Sequence, residues 1–132
     1  MQLMVSTDIA LRTLIYLGSK TSFATIQEIA EASDISKTHL MKVVMTLVAA
    51  NLLISERGRN GGIRLGLAPE EISIGAVVRL METNLAMVVC MKPGSTIKSC
   101  PLLPKCKLVN VLQQAQNSFF ESLNQKTLAD IL

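Results

Sequence analysis

The fold is decided by the stretch ISKTHLMKVVMTLVAANLLISERGRNGGIRLGL, residues 35–67. Its first half predicts a helix, because Ser36 can accept a hydrogen bond from the first turn and Ile35 can pack on Leu40. Apolar residues then recur at the spacing of one buried helical face: Leu40, Val43, Val44, Leu47 and Val48. Asn51 can end this helix in a left-handed turn, so the residues after it begin a separate element.

The opposite side of this helix carries side chains that can meet DNA. It consists of Thr38, Lys42, Met45 and Thr46, with His39 at its margin. A short, basic, hydrogen-bonding face suits the major groove, because base edges and flanking phosphates offer it partners. The alternative is an ordinary solvated face, since exposed helices often carry lysine and threonine.

Residues 52–67 predict a two-stranded hairpin whose tip is basic and rich in glycine, with Asn60-Gly61 as its turn signal. The glycines allow close approach and the arginines can contact phosphates or the minor groove: Gly58, Gly61, Gly62, Arg57, Arg59 and Arg64. A hairpin directly after a helix-turn-helix is a wing, which favours winged-helix DNA binding over a solvated loop. The predicted DNA contacts are Ser36, Lys37, Thr38, His39, Lys42, Arg57, Arg59, Asn60 and Gly61.

Polar caps predict three more helices in the first part of the chain. They are Ser6 for a helix ending near Gly18, Thr25 with Glu28 for one through Ala32, and Ser73 for one through about Met81. Ser33-Asp34 joins the second helix tightly to the third, as in a helix-turn-helix. The expected fold is therefore mainly α with a small β-hairpin wing, and residues 1–82 form a winged helix-turn-helix DNA-binding domain.

A long helix from about Lys105 to Leu123 predicts an interface between subunits. Its apolar and small residues lie near one line at a heptad-like spacing: Leu108, Leu112, Ala115, Phe119 and Ser122, with Val111 and Leu123 beside them. Such a helix packs either within its own subunit or against a partner. Dimerisation is favoured, because helix-turn-helix proteins usually read palindromic sites as two-fold dimers. Residues 105–132 are therefore expected to form a dimerisation helix and a C-terminal turn.

Composition limits the class of protein. The 132 residues suit one domain with a real core, and the net charge of +3 does not by itself prove a nucleic-acid partner. Neither a secretory n-region nor an apolar run of membrane-spanning length is present, which predicts a cytoplasmic protein without a membrane partner. No pairing of a nucleophile with a base is evident, so an enzyme is not expected.

All three cysteines lie in CMKPGSTIKSCPLLPKC, residues 90–106, within a segment that we expect to form a cluster-binding loop over residues 83–107. Prolines and a glycine keep this loop irregular: Pro93, Gly94, Pro101 and Pro104. Three cysteines cannot all pair within one chain, which points to metal or redox chemistry. Zinc is less attractive because the only histidine is His39, whereas an iron-sulfur cluster accepts a non-cysteine ligand at one iron. Free thiols in a mobile loop are the alternative.

Three features of the sequence resemble a known family: STDIALRTLIYL at 6–17, the stretch at 35–66, and the three cysteines Cys90, Cys100 and Cys106. Together they resemble the bacterial family of winged-helix iron-sulfur repressors that includes NsrR and IscR. The chain is more similar to the NsrR type, since IscR would have a histidine ligand where this chain has Val109. The spacing between Cys90 and Cys100 is longer than is usual in the family.

The resemblance implies a homodimeric repressor that binds an iron-sulfur cluster, 4Fe-4S or 2Fe-2S, and leaves its palindromic operator when nitric oxide reacts with that cluster. It implies Cys90, Cys100, Cys106 and Asp8 as ligands, with Asp8 supplied by the other subunit. Without the resemblance, Asp8 is a first-turn carboxylate that Arg12 can neutralise. Three alternatives remain: a sensor of cluster supply or redox state, a direct thiol-oxidation switch, and a small iron-sulfur electron carrier.

Overall fold

The computed structural model describes residues 2–95, 100, 102 and 105–132. Pro101 and Pro104, which the sequence predicts to keep the cysteine loop irregular, lie outside the described residues. The elements are helices α1 (Val5–Gly18), α2 (Ile26–Ser33), α3 (Lys37–Ala49), α4 (Ile74–Met81) and α5 (Leu108–Asn124), strands β1 (Leu53–Glu56) and β2 (Gly62–Leu65), and single 3-10 turns at Pro69–Glu71, Val89–Met91 and Ala129–Ile131. The architecture is mainly α with a small hairpin, as the sequence predicts.

The helix-turn-helix forms where the local signals place it. In the capping box of α2 the Thr25 hydroxyl accepts the Glu28 N–H at 3.2 Å, and the Glu28 carboxylate accepts the Thr25 N–H at 2.7 Å. The helix runs one residue beyond the expected end and is closed by Asp34 in the left-handed region at φ 52°. Ser36 then caps α3 by accepting the His39 N–H at 3.4 Å.

The start of α1 differs from the prediction. Ser6 does not cap this helix, which begins at Val5, two residues earlier than a Ser6 cap implies, with Met4 at the N-cap position and no side-chain cap of its own. The start of the helix is held from another part of the chain, because the Glu82 carboxylate accepts the N–H of Met4 at 2.7 Å. A residue distant in sequence thus fixes the N-cap residue that no local side chain caps.

The wing is the antiparallel pair of β1 and β2, in the register Leu53↔Leu65 to Glu56↔Gly62. The predicted two-residue turn at Asn60-Gly61 is wrong: residues 57–61 form a longer loop, and the positive φ angles belong to Gly58 and Gly62. The register is held from outside the hairpin, since the Ile63 N–H donates to the Ala24 carbonyl at 2.8 Å and the Ala24 N–H to the Ile63 carbonyl at 2.9 Å.

One core joins the first four helices, the hairpin and the C-terminal turn. Its fully buried side chains include Leu14, Leu17, Ile29, Leu40, Leu47, Leu53, Ile72, Val77 and Leu128. Leu128 reaches this core because its N–H donates to the Ile72 carbonyl at 2.8 Å, and the Ile74 N–H donates to the Lys126 carbonyl at 2.9 Å. The end of the chain therefore packs on the core that the first four helices and the hairpin form.

Helix α5 begins at Leu108, a little later than expected, and only Phe120 of it is buried. Phe120 packs with Ile74 and Val78 of α4. No described residue in the first half of α5 is buried, and Leu108 and Val111 are 54% and 58% exposed. In the described part of the chain, none of the helices has the length and apolar character needed to cross a membrane.

Candidate nucleic-acid interface and cysteine segment

The outward face of α3 lies where its pattern predicts. Leu40, Val43, Val44 and Leu47 are buried against the other helices. The predicted DNA contacts on this helix and its cap are all exposed: Ser36, Lys37, Thr38, His39 and Lys42. Because α3 packs through one face only, these side chains are free to enter a groove of DNA.

The wing tip presents its cations to solvent beside α3. Arg57, Arg59 and Asn60 are exposed, and Gly61 is half-buried. A side chain at Gly61 has no room, because its Cβ would lie 2.3 Å from the Glu56 carbonyl oxygen. Arg64 is less free than the sequence suggests, since its guanidinium lies 5.2 Å from the centre of the Phe23 ring. Arg57 and Arg59 are therefore the wing cations for which no aromatic partner is found among the described residues.

An open groove of about 360 Å³ separates α3 from the wing. Met41 and Met45 line its α3 side, and Gly58 and Gly61 are among the residues that line its wing side. The pattern of the sequence places Met45 on the outward face, but neither methionine is among the predicted DNA contacts. The structure distinguishes them because both are large apolar side chains that remain exposed to solvent, Met41 by 54% and Met45 by 71%.

The three cysteines are free and half-buried. Cys90 lies in the Val89–Met91 turn, and its carbonyl accepts the Ser95 hydroxyl at 3.5 Å. Among the described residues, no three histidine, cysteine, aspartate or glutamate side chains come together as a metal site. The donor set itself fits an iron-sulfur cluster, because thiolates are its preferred ligands and no disulfide occupies these sulfurs.

Asp8 lies in the first turn of α1 and pairs with Arg12, with 3.0 Å between Oδ2 and Nε. Both side chains are 54% exposed, so solvent screens this pair and its contribution to stability is small. Within one chain Asp8 thus occupies the helix-surface pair that the sequence offers as its alternative role. Its carboxylate is accessible to a partner subunit.

A buried contact that the sequence does not reveal ties α1 to the segment leading to Cys90. Glu82, directly after α4, accepts the Thr7 hydroxyl at 2.6 Å in addition to the Met4 N–H. Thr7 is completely buried, and Asp8 follows it in the chain. Further along, the Leu85 carbonyl accepts a hydrogen bond from the Gln116 side chain of α5. The segment before Cys90 is therefore held to both α1 and α5.

Two carboxylates outside the interface have shifted pKa values. The pKa of Glu28 is lowered chiefly by the hydrogen bond from the Thr25 backbone N–H. The pKa of Asp130 is lowered in the same way by the Thr127 N–H, at 2.7 Å. Both groups stabilise a helical turn as carboxylates.

The sequence pattern of one family, described as Rrf2, iron-dependent transcriptional regulator, matches residues 3–132. Proteins named HTH-type transcriptional regulator NsrR are similar over the whole of this chain. Those of Halalkalibacterium halodurans and Bacillus licheniformis are 42% and 43% identical to it, with 90% and 92% of their own lengths covered. That of Bacillus subtilis is 40% identical, with 90% of its length covered.

Solved structures share the fold. IscR of T. potens has a TM-score of 0.78 at 22% identity, over 99% of this chain and 85% of that one. The oxidized form of Staphylococcus aureus CymR has a TM-score of 0.74 at 28% identity, over 97% of this chain and 93% of that one. The predicted winged-helix class is confirmed by this likeness.

Proposed function

Because this chain belongs to the Rrf2 family of iron-dependent transcriptional regulators, we propose that it is an NsrR-type repressor that works as a homodimer and responds to nitric oxide. The membership confirms the family resemblance of the sequence and makes the protein a DNA-binding transcriptional regulator. The observation that carries the proposal is the pairing, in one chain, of an exposed basic reading surface with three free cysteines. A sensor regulator needs both parts.

The reading surface is proposed to bind DNA through α3 and the wing tip. Thr38, His39 and Lys42 enter the major groove, where base edges carry hydrogen-bond donors and acceptors. Ser36 and Lys37, at the start of α3, and Arg57, Arg59, Asn60 and Gly61 of the wing contact the phosphates or the minor groove. The exposure of all these residues except the half-buried Gly61, and the lack of an acidic residue in α3, support this arrangement.

The dimer is proposed to form through the first half of α5. Leu108, Val111 and Ala115 are exposed and lie along one line of the helix. A second copy of the chain would cover these residues and set two α3 helices on a palindromic operator.

The cysteine segment is proposed to hold an iron-sulfur cluster, 4Fe-4S or 2Fe-2S, through Cys90, Cys100 and Cys106. A bound cluster supplies iron that nitric oxide can attack. Asp8 of the other subunit would provide the fourth ligand, and a carboxylate is a harder and weaker ligand for iron than a thiolate. Asp8 is exposed, and solvent screens its pair with Arg12. Little stability is therefore lost when Asp8 leaves that pair, which supports this role.

Asp8 then has two alternative partners, and the exchange between them is the proposed switch. When Asp8 returns to Arg12, α1 is no longer held to the other subunit. Because α1 packs on α3 within each chain, freeing α1 changes how the two α3 helices are spaced and weakens operator binding. Derepression follows. The regulated genes are expected to serve nitric-oxide detoxification.

A second candidate uses the same cysteines without a cluster. All three are free and half-buried, which also suits direct oxidation of the thiols. A sensor of cluster supply would share every DNA-binding part and differ only in its signal. An electron carrier is disfavoured, because it leaves α3 and the wing without a role.

The test is the absorption spectrum and the iron and sulfide content of protein purified without oxygen, before and after nitric oxide, with operator binding measured on the same samples. A broad band that nitric oxide bleaches, together with loss of DNA binding, is the expected result. Cys100→Ser is the matched control and should lack the band. Iron-free protein that binds DNA and releases it only after thiol oxidation would replace the proposal with the second candidate.

A further inference from the structure

We propose that Met45, with Met41 beside it, selects operators by contacting thymine methyl groups in the major groove. The inference rests on the proposed DNA-binding function and deepens it, because it names an apolar element of sequence reading. It starts from an unusual feature of α3, which exposes two methionines. Met45 is 71% exposed, more than Met41 at 54%, although both are large apolar side chains.

The position of Met45 on the helix places it among the polar reading residues. At about 100° per residue, Thr38, Lys42 and Met45 lie within about 60° of one another on the face opposite the buried residues. Met41 lies on the flank of this face that borders the wing, whereas His39 lies on the other flank. A docking of α3 that brings Thr38 and Lys42 to base edges therefore brings Met45 to the same groove.

The groove between α3 and the wing limits what Met45 can contact. Both methionines line it, together with Glu56 and glycines of the wing. The exposed Arg57 and Arg59 belong to the same wing tip, and the exposed Lys42 lies beside Met45 on the outward face of α3, so cations outnumber the one carboxylate around the groove. The cations favour a polyanion as the occupant over an apolar protein surface. Within the major groove of DNA the one apolar group is the C5-methyl of thymine. Thymine methyls are therefore the natural partners of this pair.

Methionine suits such a contact because its unbranched, polarisable side chain adapts its shape to the surface it meets. The contact differs from those of Thr38 and Lys42, which depend on hydrogen bonds. It predicts a preference for thymine at one or two positions in each half-site, displaced from the bases read by Thr38 because Met45 lies about two helical turns further along α3.

In the first step, the dimeric protein selects the duplexes that it binds from a randomised pool. A selected duplex then serves as the probe. Each thymine of the selected duplex is then replaced by deoxyuridine, which lacks only the methyl group. Wild-type binding should weaken about three- to fivefold at one or two positions per half-site. Met45→Ala should bind the thymine duplex less tightly and lose this sensitivity at one of them, while Met41→Ala affects the neighbouring position.

Leu80→Ala is the control, because Leu80 is 41% exposed on α4, outside the reading surface, and its loss should leave the deoxyuridine profile unchanged. Circular dichroism and thermal unfolding of each variant should match the wild type, since these side chains are exposed. Selected duplexes that bind equally well with deoxyuridine at every position would overturn the inference and leave DNA binding intact. Failure to select any duplex would overturn the proposed function with it.

Discussion

Replacing Glu82 by alanine should reveal how α1 is anchored. The substitution removes the acceptor of two hydrogen bonds, from the Met4 N–H at 2.7 Å and from the Thr7 hydroxyl at 2.6 Å. Met4 is exposed, so water can replace the acceptor there at little cost. Thr7 is completely buried, and a buried hydroxyl without a partner costs about 1–3 kcal/mol.

The expected loss of unfolding free energy is therefore about 2–3 kcal/mol for Glu82→Ala, most of it from the stranded Thr7 hydroxyl. For a domain of this size, that corresponds to a Tm lower by roughly 7–11 °C. Urea unfolding at fixed protein concentration measures the free energy directly, because dimerisation makes stability depend on concentration.

A double-mutant cycle tests the assigned cause. Thr7→Val removes the hydroxyl at nearly constant shape, so the double variant should be more stable than Glu82→Ala alone, by about 1 kcal/mol. Glu121→Ala, which removes an exposed carboxylate from α5, is the control and should change stability by less than about 0.5 kcal/mol. Additive effects of the two substitutions, or a Glu82→Ala protein as stable as the control, would refute the anchoring role.

Four further predictions follow from the surface and the caps. Asp8→Ala should unfold within about 0.5 kcal/mol of the wild type but lose cluster-dependent operator binding; unchanged binding and nitric-oxide response would remove Asp8 from the ligand set. Arg59→Ala should weaken DNA binding and lower the salt slope by about 1, measured by fluorescence anisotropy; an unchanged slope means that Arg59 makes no phosphate contact. Val111→Glu should give monomers by analytical ultracentrifugation, and a persistent dimer would place the interface elsewhere. Because the pKa of Glu28 is lowered from 4.5, its stabilising contribution is present above that pH and is lost as the pH falls through the lower folded value. In Glu28→Gln, the urea midpoint should change less with pH over this acidic range than it does in the wild type. A midpoint that changes with pH as much as in the wild type would contradict the role of Glu28 in the cap.

Structural features that depend on a few neighbouring residues could be predicted from the sequence. The capping box of α2, the Ser36 and Ser73 caps and the left-handed Asn51 all form as expected. Each involves a side chain and a backbone group within three or four positions, so its geometry depends little on the rest of the molecule. The exposed face of α3 follows equally well from the period of the helix.

Structural features that depend on residues distant in sequence could not be predicted. Ser6 is a plausible cap, but Glu82 supplies the acceptor at the start of α1 from 78 positions away. The Asn60-Gly61 turn signal was overridden because the pairing of Ile63 with Ala24 holds the strand register. Leu128 belongs to no periodic pattern, and its burial and its hydrogen bond to Ile72 show that the C-terminus joins the core.

The sequence by itself determined the winged-helix class, the outward face of α3, the cationic wing tip and the gathering of three cysteines in one segment, because periodicity, caps and side-chain chemistry are local. Only the tertiary structure decided that Phe120 is the buried residue of α5, that Thr7 is anchored by Glu82, and that two methionines border the groove beside the wing. Those outcomes depend on long-range packing, where burial and hydrogen bonding choose among partners that local rules leave equivalent.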